Sequence, residues 1–236
     1  MRISVKRPIF VKNKAMAKII SKKVKSYDEA ELIGMFNLNR LVGNTEHPLM
    51  AEWVNIPVEN LSPFERELFD EILFDAQKNI VGWQEEDLKM KFISFVLRLG
   101  HLKDTKLFNT YFEKTVSATI EGHFLKTKTD FMVAKGILNI PQKPYFHFQE
   151  WKPYKKPVGD SMGQLLEAFL IAQHLNADDV PLYGCEVIGK QWNFVIFEQR
   201  NYCTSKSYDS TESDDLLQII SILRKFKSLL EARLTK

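Results

Sequence analysis

Glu150, Trp151 and Lys152 close a run of aromatic and polar residues, Tyr145 to Trp151, with the composition of a β-strand. Side chains alternate faces along a strand, so Glu150 and Lys152 point one way and Trp151 the other. A carboxylate and an ammonium are thereby set side by side. Asp130 lies in the preceding strand-like run, Thr129 to Ala134, and a connection containing Gly136, Pro141 and Pro144 separates the two. If the runs pair antiparallel, Asp130 approaches Glu150. Two hard oxygen ligands in one place suit Mg²⁺, with Mn²⁺ as the alternative ion, and water and a substrate phosphate would complete the shell. Such an ion lowers the pKa of a bound water and polarises a phosphodiester. Lys152 would orient that water or stabilise charge developing at phosphorus. The spacing also has a plainer reading, because Glu-x-Lys describes a surface ion pair worth about 0–1 kcal/mol.

These residues must be positioned by the elements around them. Up to about Gly82 the chain reads as mixed and mostly helical. Ser62-Pro63-Phe64-Glu65 combines a capping residue with proline at the first helical position. Leu61, Phe64, Leu68, Ile72 and Leu73 then recur at helical spacing, which predicts a helix ending near Asn79. A second helix is predicted from Gln84 to Leu99, with Leu88, Phe92, Phe95, Val96 and Leu99 on its buried face and Gly100 as its stop. Strands are predicted at Val116–Phe124, Thr129–Ala134 and Tyr145–Trp151, with a basic Pro- and Gly-containing loop from Lys155 to Gly159. Asp160 or Ser161 caps the next helix, which ends near Leu175, and Ser161-x-x-Gln164 fits a capping box. Strands at Leu182–Ile188 and Trp192–Phe197 follow, joined at Gly189-Lys190 as a hairpin. Leu216, Ile219, Ile220, Leu223, Phe226 and Leu230 define a long amphipathic closing helix. Helix, three strands, helix, two strands, helix is the order of an α/β protein.

Composition bounds the partners. The 236 residues are 44% hydrophobic and 27% charged, ordinary values for a globular chain. No apolar run approaches the roughly 20 residues that a membrane helix needs. Cys185 and Cys203 offer neither metal spacing nor a disulfide framework and read as reduced thiols of a cytoplasmic protein. His123 and His147 have no Cys or His partner at zinc spacing and read as structural. The net charge is only +3, but nine basic residues and no acid fall between Met1 and Ser26. That block would steer a polyanion, or is a solvated segment; it is Lys-rich rather than Arg- and Ser-rich, which argues against a mitochondrial presequence.

Several segments resemble, in order, the PD-(D/E)xK nucleases, nearest to the nuclease domains of type I restriction subunits. The resemblance spans Gln84 to Tyr202. Gln84-Glu85 followed by Lys89 and Phe92-Ile93 resembles the family's first helix, and Thr129-Asp130-Phe131-Met132-Val133-Ala134 its second strand. Gln149-Glu150-Trp151-Lys152 resembles the strand bearing the Glu-x-Lys signature, Gly163-Gln164-Leu165-Leu166-Glu167-Ala168 the following helix, and Tyr183 to Phe194 the closing hairpin. Gln84 stands where the family prefers Asn, Thr129 where proline often precedes the aspartate, and residues before 80 match nothing in it. The resemblance implies a restriction-endonuclease-like core at 81–236, a mixed central sheet flanked by helices, behind a mainly helical extension at 1–80. It implies a Mg²⁺-dependent nuclease acting on nucleic acid, DNA foremost, with a dimer the simplest way to cut both strands.

The expected metal ligands are Asp130 and Glu150, with Glu85 approaching from its helix; Glu85 also reads as a plain acid at a helix N-terminus. Gln164 would support Lys152 or a metal-bound water, or else cap its own helix with Ser161. Lys128, Lys155 and Lys156 are the candidate phosphate contacts, solvated lysines being the plainer alternative. Two other readings stand beside the active nuclease: a non-cutting member of the same fold that binds nucleic acid or a partner, and an unrelated α/β interaction protein.

Overall fold

The computed structural model describes residues 26–155 and 157–235. Lys156 and the basic block up to Lys25 therefore lie outside the described residues. Eight strands form one mixed sheet, and helices cover both of its faces. The strands are β1 (Asn39–Val42), β2 (Asn109–Ile120), β3 (His123–Ile137), β4 (Ile140–Lys152), β5 (Leu182–Ile188), β6 (Gln191–Glu198), β7 (Asn201–Thr204) and β8 (Tyr208–Asp209). Their order is β1-β7-β6-β5-β4-β3-β2, with β8 paired to β6. The β1–β7 and β4–β5 pairs are parallel and the others antiparallel. The helices are α1 (Glu29–Phe36), α2 (Pro48–Val54), α3 (Pro63–Asn79), α4 (Glu85–Leu88), α5 (Ser94–Leu99), α6 (Ser161–Asn176) and α7 (Ser213–Leu234). No described helix is long and apolar enough to cross a membrane.

Two apolar layers result. On one face, α6 and α1 pack over β2–β5 with Phe148, Phe169, Leu166 and Phe197 fully buried. On the other, α2, α3, α5 and α7 enclose Trp53, Phe92, Phe131, Trp192 and Phe226. Residues 26–80 contribute to both layers and to the sheet. Trp53 of α2 has no exposed surface and donates its indole N–H to the carbonyl of Ile222 in α7 at 2.9 Å. Arg224 of α7 donates to the carbonyl of Leu99 at 2.8 Å and pairs with Glu65 of α3 at 2.6 Å, so one buried cation joins three helices.

The strands around the predicted site differ from the sequence expectation. Val116–Phe124 is not one strand: the chain turns at Glu121-Gly122, where both residues have positive φ (50° and 83°), and Ile120 pairs with His123. Two left-handed residues match the right-handed twist of a hairpin, but only the glycine announced one. The stretch 135–144 is not a loose connection either. It forms the end of β3, a turn at Leu138 and the start of β4, with Gly136 paired to Pro141. Prolines are tolerated there because β5 joins β4 only from His147 onward, so Pro141 and Pro144 lie where β4 has a single neighbour. Gly136 (φ 154°) approaches Tyr111 so closely that a Cβ would collide with the Tyr111 hydroxyl. The predicted helix from Gln84 to Leu99 contains a π-turn, Lys89–Ile93, between α4 and α5.

Candidate active site

Strand register assembles the site. The β3–β4 pair Phe131↔Gln149, continued by one residue, sets Asp130 opposite Glu150. The β4–β5 register pairs Glu150 with Glu186, and the β5–β6 register pairs Glu186 with Asn193. On the other side, Glu113 of β2 falls opposite Asp130, between the pairs Phe112↔Phe131 and Lys114↔Thr129. Glu113, Asp130, Glu150 and Glu186 thus form a transverse row across four adjacent strands. Neighbours in such a row have Cβ atoms about 4.5–5.5 Å apart. Alternation places Glu150 and Lys152 on the face of Phe148, the face covered by α6, as the sequence required.

Trp151 explains how the row is held. Its ring faces the other layer and stacks on Phe131, with centroids 6.1 Å apart and planes at 20°. Its backbone N–H donates to Asp130 Oδ2 at 2.7 Å, which fixes that carboxylate against β4. Its indole N–H donates to Gln149 Oε1 at 2.9 Å, and Gln149 Nε2 meets His147 Nε2 at 2.9 Å. His147 is fully buried against Phe226, and burial lowers its pKa to about 3, so it stays neutral. Of the two histidines read as structural, His147 is a buried neutral member of this network.

The charges are arranged in opposition. Lys152 Nζ lies 2.7 Å from Glu150 Oε1. Burial raises the Glu150 pKa to about 8; the charge of Asp130 adds to the rise and Lys152 opposes it. Asp130 is raised too, chiefly by burial, against the hydrogen bonds from Lys89 and from the Trp151 N–H. The two carboxyls therefore resist ionising together in a dry, like-charged setting. Glu186 is likewise raised by burial, although the Ser161 hydroxyl and the Asn193 amide donate to it.

Lys89, the first residue of the π-turn, crosses to this cluster. Its ammonium lies 2.7 Å from Glu85 Oε1, 2.7 Å from Glu113 Oε1 and 2.8 Å from Asp130 Oδ1. Burial works against its charge, but those three carboxylates outweigh it and raise the Lys89 pKa. π-turns concentrate at functional sites because the extra residue re-aims the side chains that follow. Glu85 thus joins the cluster through Lys89. Gln164 is only half-buried, and among the described residues its side chain has no hydrogen-bond partner. The capping box with Ser161 is not formed: Asp160 caps α6 by accepting from the Gly163 N–H at 3.0 Å, which leaves the Ser161 hydroxyl for Glu186. Lys128 pairs with Glu113, and Lys155 is exposed just past the site.

Glu113, Glu186 and the central place of Lys89 were not singled out from the sequence. Lys89 carried a signal, standing one helical turn from Glu85. Glu186 carried another, as the one acid in the apolar run Leu182–Ile188. Glu113 carried none, because its place depends on a residue with φ 56° inside β2.

Among the described residues, no three or more His, Cys, Asp and Glu side chains form a ready metal cluster. The carboxylates turn oxygens onto Lys89 and Lys152 instead. The donors still suit a hard divalent ion: Asp130 and Glu150 are adjacent acids in low dielectric, and the cluster already accepts one cation, the Lys89 ammonium, among three carboxylate oxygens. No protein-family model and no curated protein matches this chain.

Proposed function

We propose that the chain is a metal-dependent nuclease that hydrolyses phosphodiester bonds of nucleic acid, DNA foremost, on a restriction-endonuclease-like core. The observation that carries the reading is the union of Asp130, from the middle of β3, with Glu150 and Lys152, from the end of the adjacent β4. Glu150 and Lys152 share a face at 2.7 Å, and Asp130 is pinned beside them by the Trp151 N–H. The order of elements around them supports it: π-interrupted helix, hairpin, signature strand, α6, then the β5–β6 hairpin.

Asp130 and Glu150 would hold Mg²⁺ or Mn²⁺, and the bound ion supplies Lewis-acid polarisation of the phosphodiester. Glu85 stands on the outer side of the cluster as a further acid. Lys152, on the face of Glu150, places a positive charge where negative charge grows at phosphorus. Trp151 keeps Asp130 aimed through its backbone N–H. Lys155, just past the end of β4, and Lys128, within β3, would offer phosphate contacts, Lys128 once it leaves Glu113.

The test is cleavage of DNA and RNA by the purified chain with Mg²⁺, Mn²⁺ or EDTA, beside Asp130→Ala and Lys152→Ala. Loss on the order of 10²-fold or more is expected in each variant. Cleavage that persists in EDTA or in either variant sinks the mechanism. One observation favours a second reading, a member of the same fold that binds without cutting: Asp130 and Glu150 each spend an oxygen on a lysine. Tight DNA binding with no cleavage under any ion would select it.

A further inference from the structure

Lys89 sits on Asp130, one of the two carboxylates that would hold a divalent ion. A lysine ammonium has three N–H donors, and here three carboxylate oxygens, one each from Glu85, Glu113 and Asp130, take them all. Asp130 in turn has no idle oxygen. Oδ1 faces Lys89 at 2.8 Å, and Oδ2 accepts the Trp151 N–H at 2.7 Å. The Trp151 bond satisfies a buried backbone N–H of β4, and losing it would leave that donor unpaired. The Lys89 bond is made by the tip of a four-carbon chain and can be given up.

We propose that Lys89 is an internal competitor of the divalent ion: it closes Asp130 in the ion-free protein and must release Oδ1 for the ion to bind. This rests on the metal-site reading above. The route of release is built in. Asp130 is one-tenth exposed, whereas Glu85 and Glu113 are about two-fifths exposed. On leaving Asp130, the ammonium keeps both outer carboxylates and moves toward solvent. It therefore stays charged and paired in both states, and only one of its three partners is exchanged. The repulsion between a divalent ion and an ammonium at the same oxygen makes the two states mutually exclusive. Lys89 thereby sets the ion concentration at which the site opens. It is a positioning residue that acts through Asp130.

The experiment measures Mn²⁺ binding by calorimetry at fixed pH and low salt, together with the melting temperature without and with Mn²⁺. It compares the unaltered chain with Lys89→Met, Lys89→Gln and a surface control, Lys91→Met, whose own partner is Asp87. Lys89→Met should bind Mn²⁺ roughly tenfold or more tightly, since its carboxylates lose their internal cation. It should also melt lower than the unaltered chain when ion-free and gain more from Mn²⁺. Lys91→Met should match the unaltered chain. Lys89→Gln, which keeps polar donors without charge, should bind more tightly as well, and decides the matter if the Met variant does not fold. Equal or weaker Mn²⁺ binding by a folded Lys89 variant overturns the competitor role and leaves the metal site standing. No Mn²⁺ binding by any of these proteins overturns the metal site itself.

Discussion

Burial and then the charge of Asp130 are the largest influences raising the Glu150 carboxyl, with Glu85 adding to them, and the ammonium of Lys152 opposes them. The raising influences win, so its pKa rises to about 8, above the 4.5 of a free glutamate. An acid whose folded pKa is raised binds its proton better in the folded state. Stability from this group is present at low pH and is lost as pH climbs from about 4.5 through about 8. Glu150→Gln removes the titration. The melting temperature of the ion-free variant, relative to the unaltered chain, should therefore rise between pH 5 and pH 8.5. A difference that stays flat across that interval, measured by thermal denaturation in EDTA, contradicts the raised pKa. Mn²⁺ at pH 8 should narrow the gap by favouring ionised Glu150 in the unaltered chain. At this scale, the chemistry of Asp130, Glu150 and Lys152 was legible from residue type and alternation alone. The opposition of Lys89 to Asp130 was not, because it depends on where a helix and a distant strand come to rest.

Strand β5 sets the spacing of the row. Gly184 pairs with Phe148 across the parallel β4–β5 ladder, and a Cβ at Gly184 would stand 2.5 Å from Phe169 Cζ and 2.8 Å from the Phe148 carbonyl oxygen. The first clash is with a ring of α6 and the second with the backbone of β4, two residues before Glu150. The second cannot yield without shifting the row. Gly184→Ala should cost about 1–3 kcal/mol by overpacking. It should also lower cleavage although residue 184 touches neither Asp130 nor Lys152. Denaturant unfolding read beside the cleavage rate checks both, and a variant with unchanged midpoint would show that α6 can move away. The helices α3, α6 and α7 were readable from apolar spacing and capping residues. The two hairpins joining β2, β3 and β4 were not, because a left-handed glutamate and prolines on a one-sided stretch of strand obey tertiary rather than local constraints.

The whole molecule places its charge unevenly. The basic residues from Arg2 to Lys25 precede α1, and α1 begins beside α6: the Glu29 N–H donates to Asp160 Oδ2 at 2.7 Å, next to the Ser161 that holds Glu186. Removing residues 1–25 should weaken nucleic-acid binding and flatten its logarithmic salt slope on duplex DNA, by about 0.9 for each phosphate that the shortened chain no longer neutralises. Fluorescence anisotropy across salt concentrations measures that slope, and an identical slope in the shortened chain would assign these residues no part in binding phosphate. Ion binding should act on the molecule as a unit. At about 100 times its dissociation constant, Mg²⁺ should add about 2.7 kcal/mol, seen as a melting temperature several degrees higher in the unaltered chain and unmoved in Asp130→Ala.

The sequence by itself determined the α/β class, the major helices, the shared face of Glu150 and Lys152, and the candidacy of Asp130. Those follow from periodicity, capping and strand alternation, which act over a few residues. Only the tertiary structure decided that Glu113, Asp130, Glu150 and Glu186 stand in one row, that Glu85 meets the site through Lys89, and that Ser161 serves Glu186 rather than Gln164. The reason is register: which residues face one another across a sheet depends on bulges, left-handed residues and the packing of both faces, and shifting any one strand by a single residue would dissolve the row.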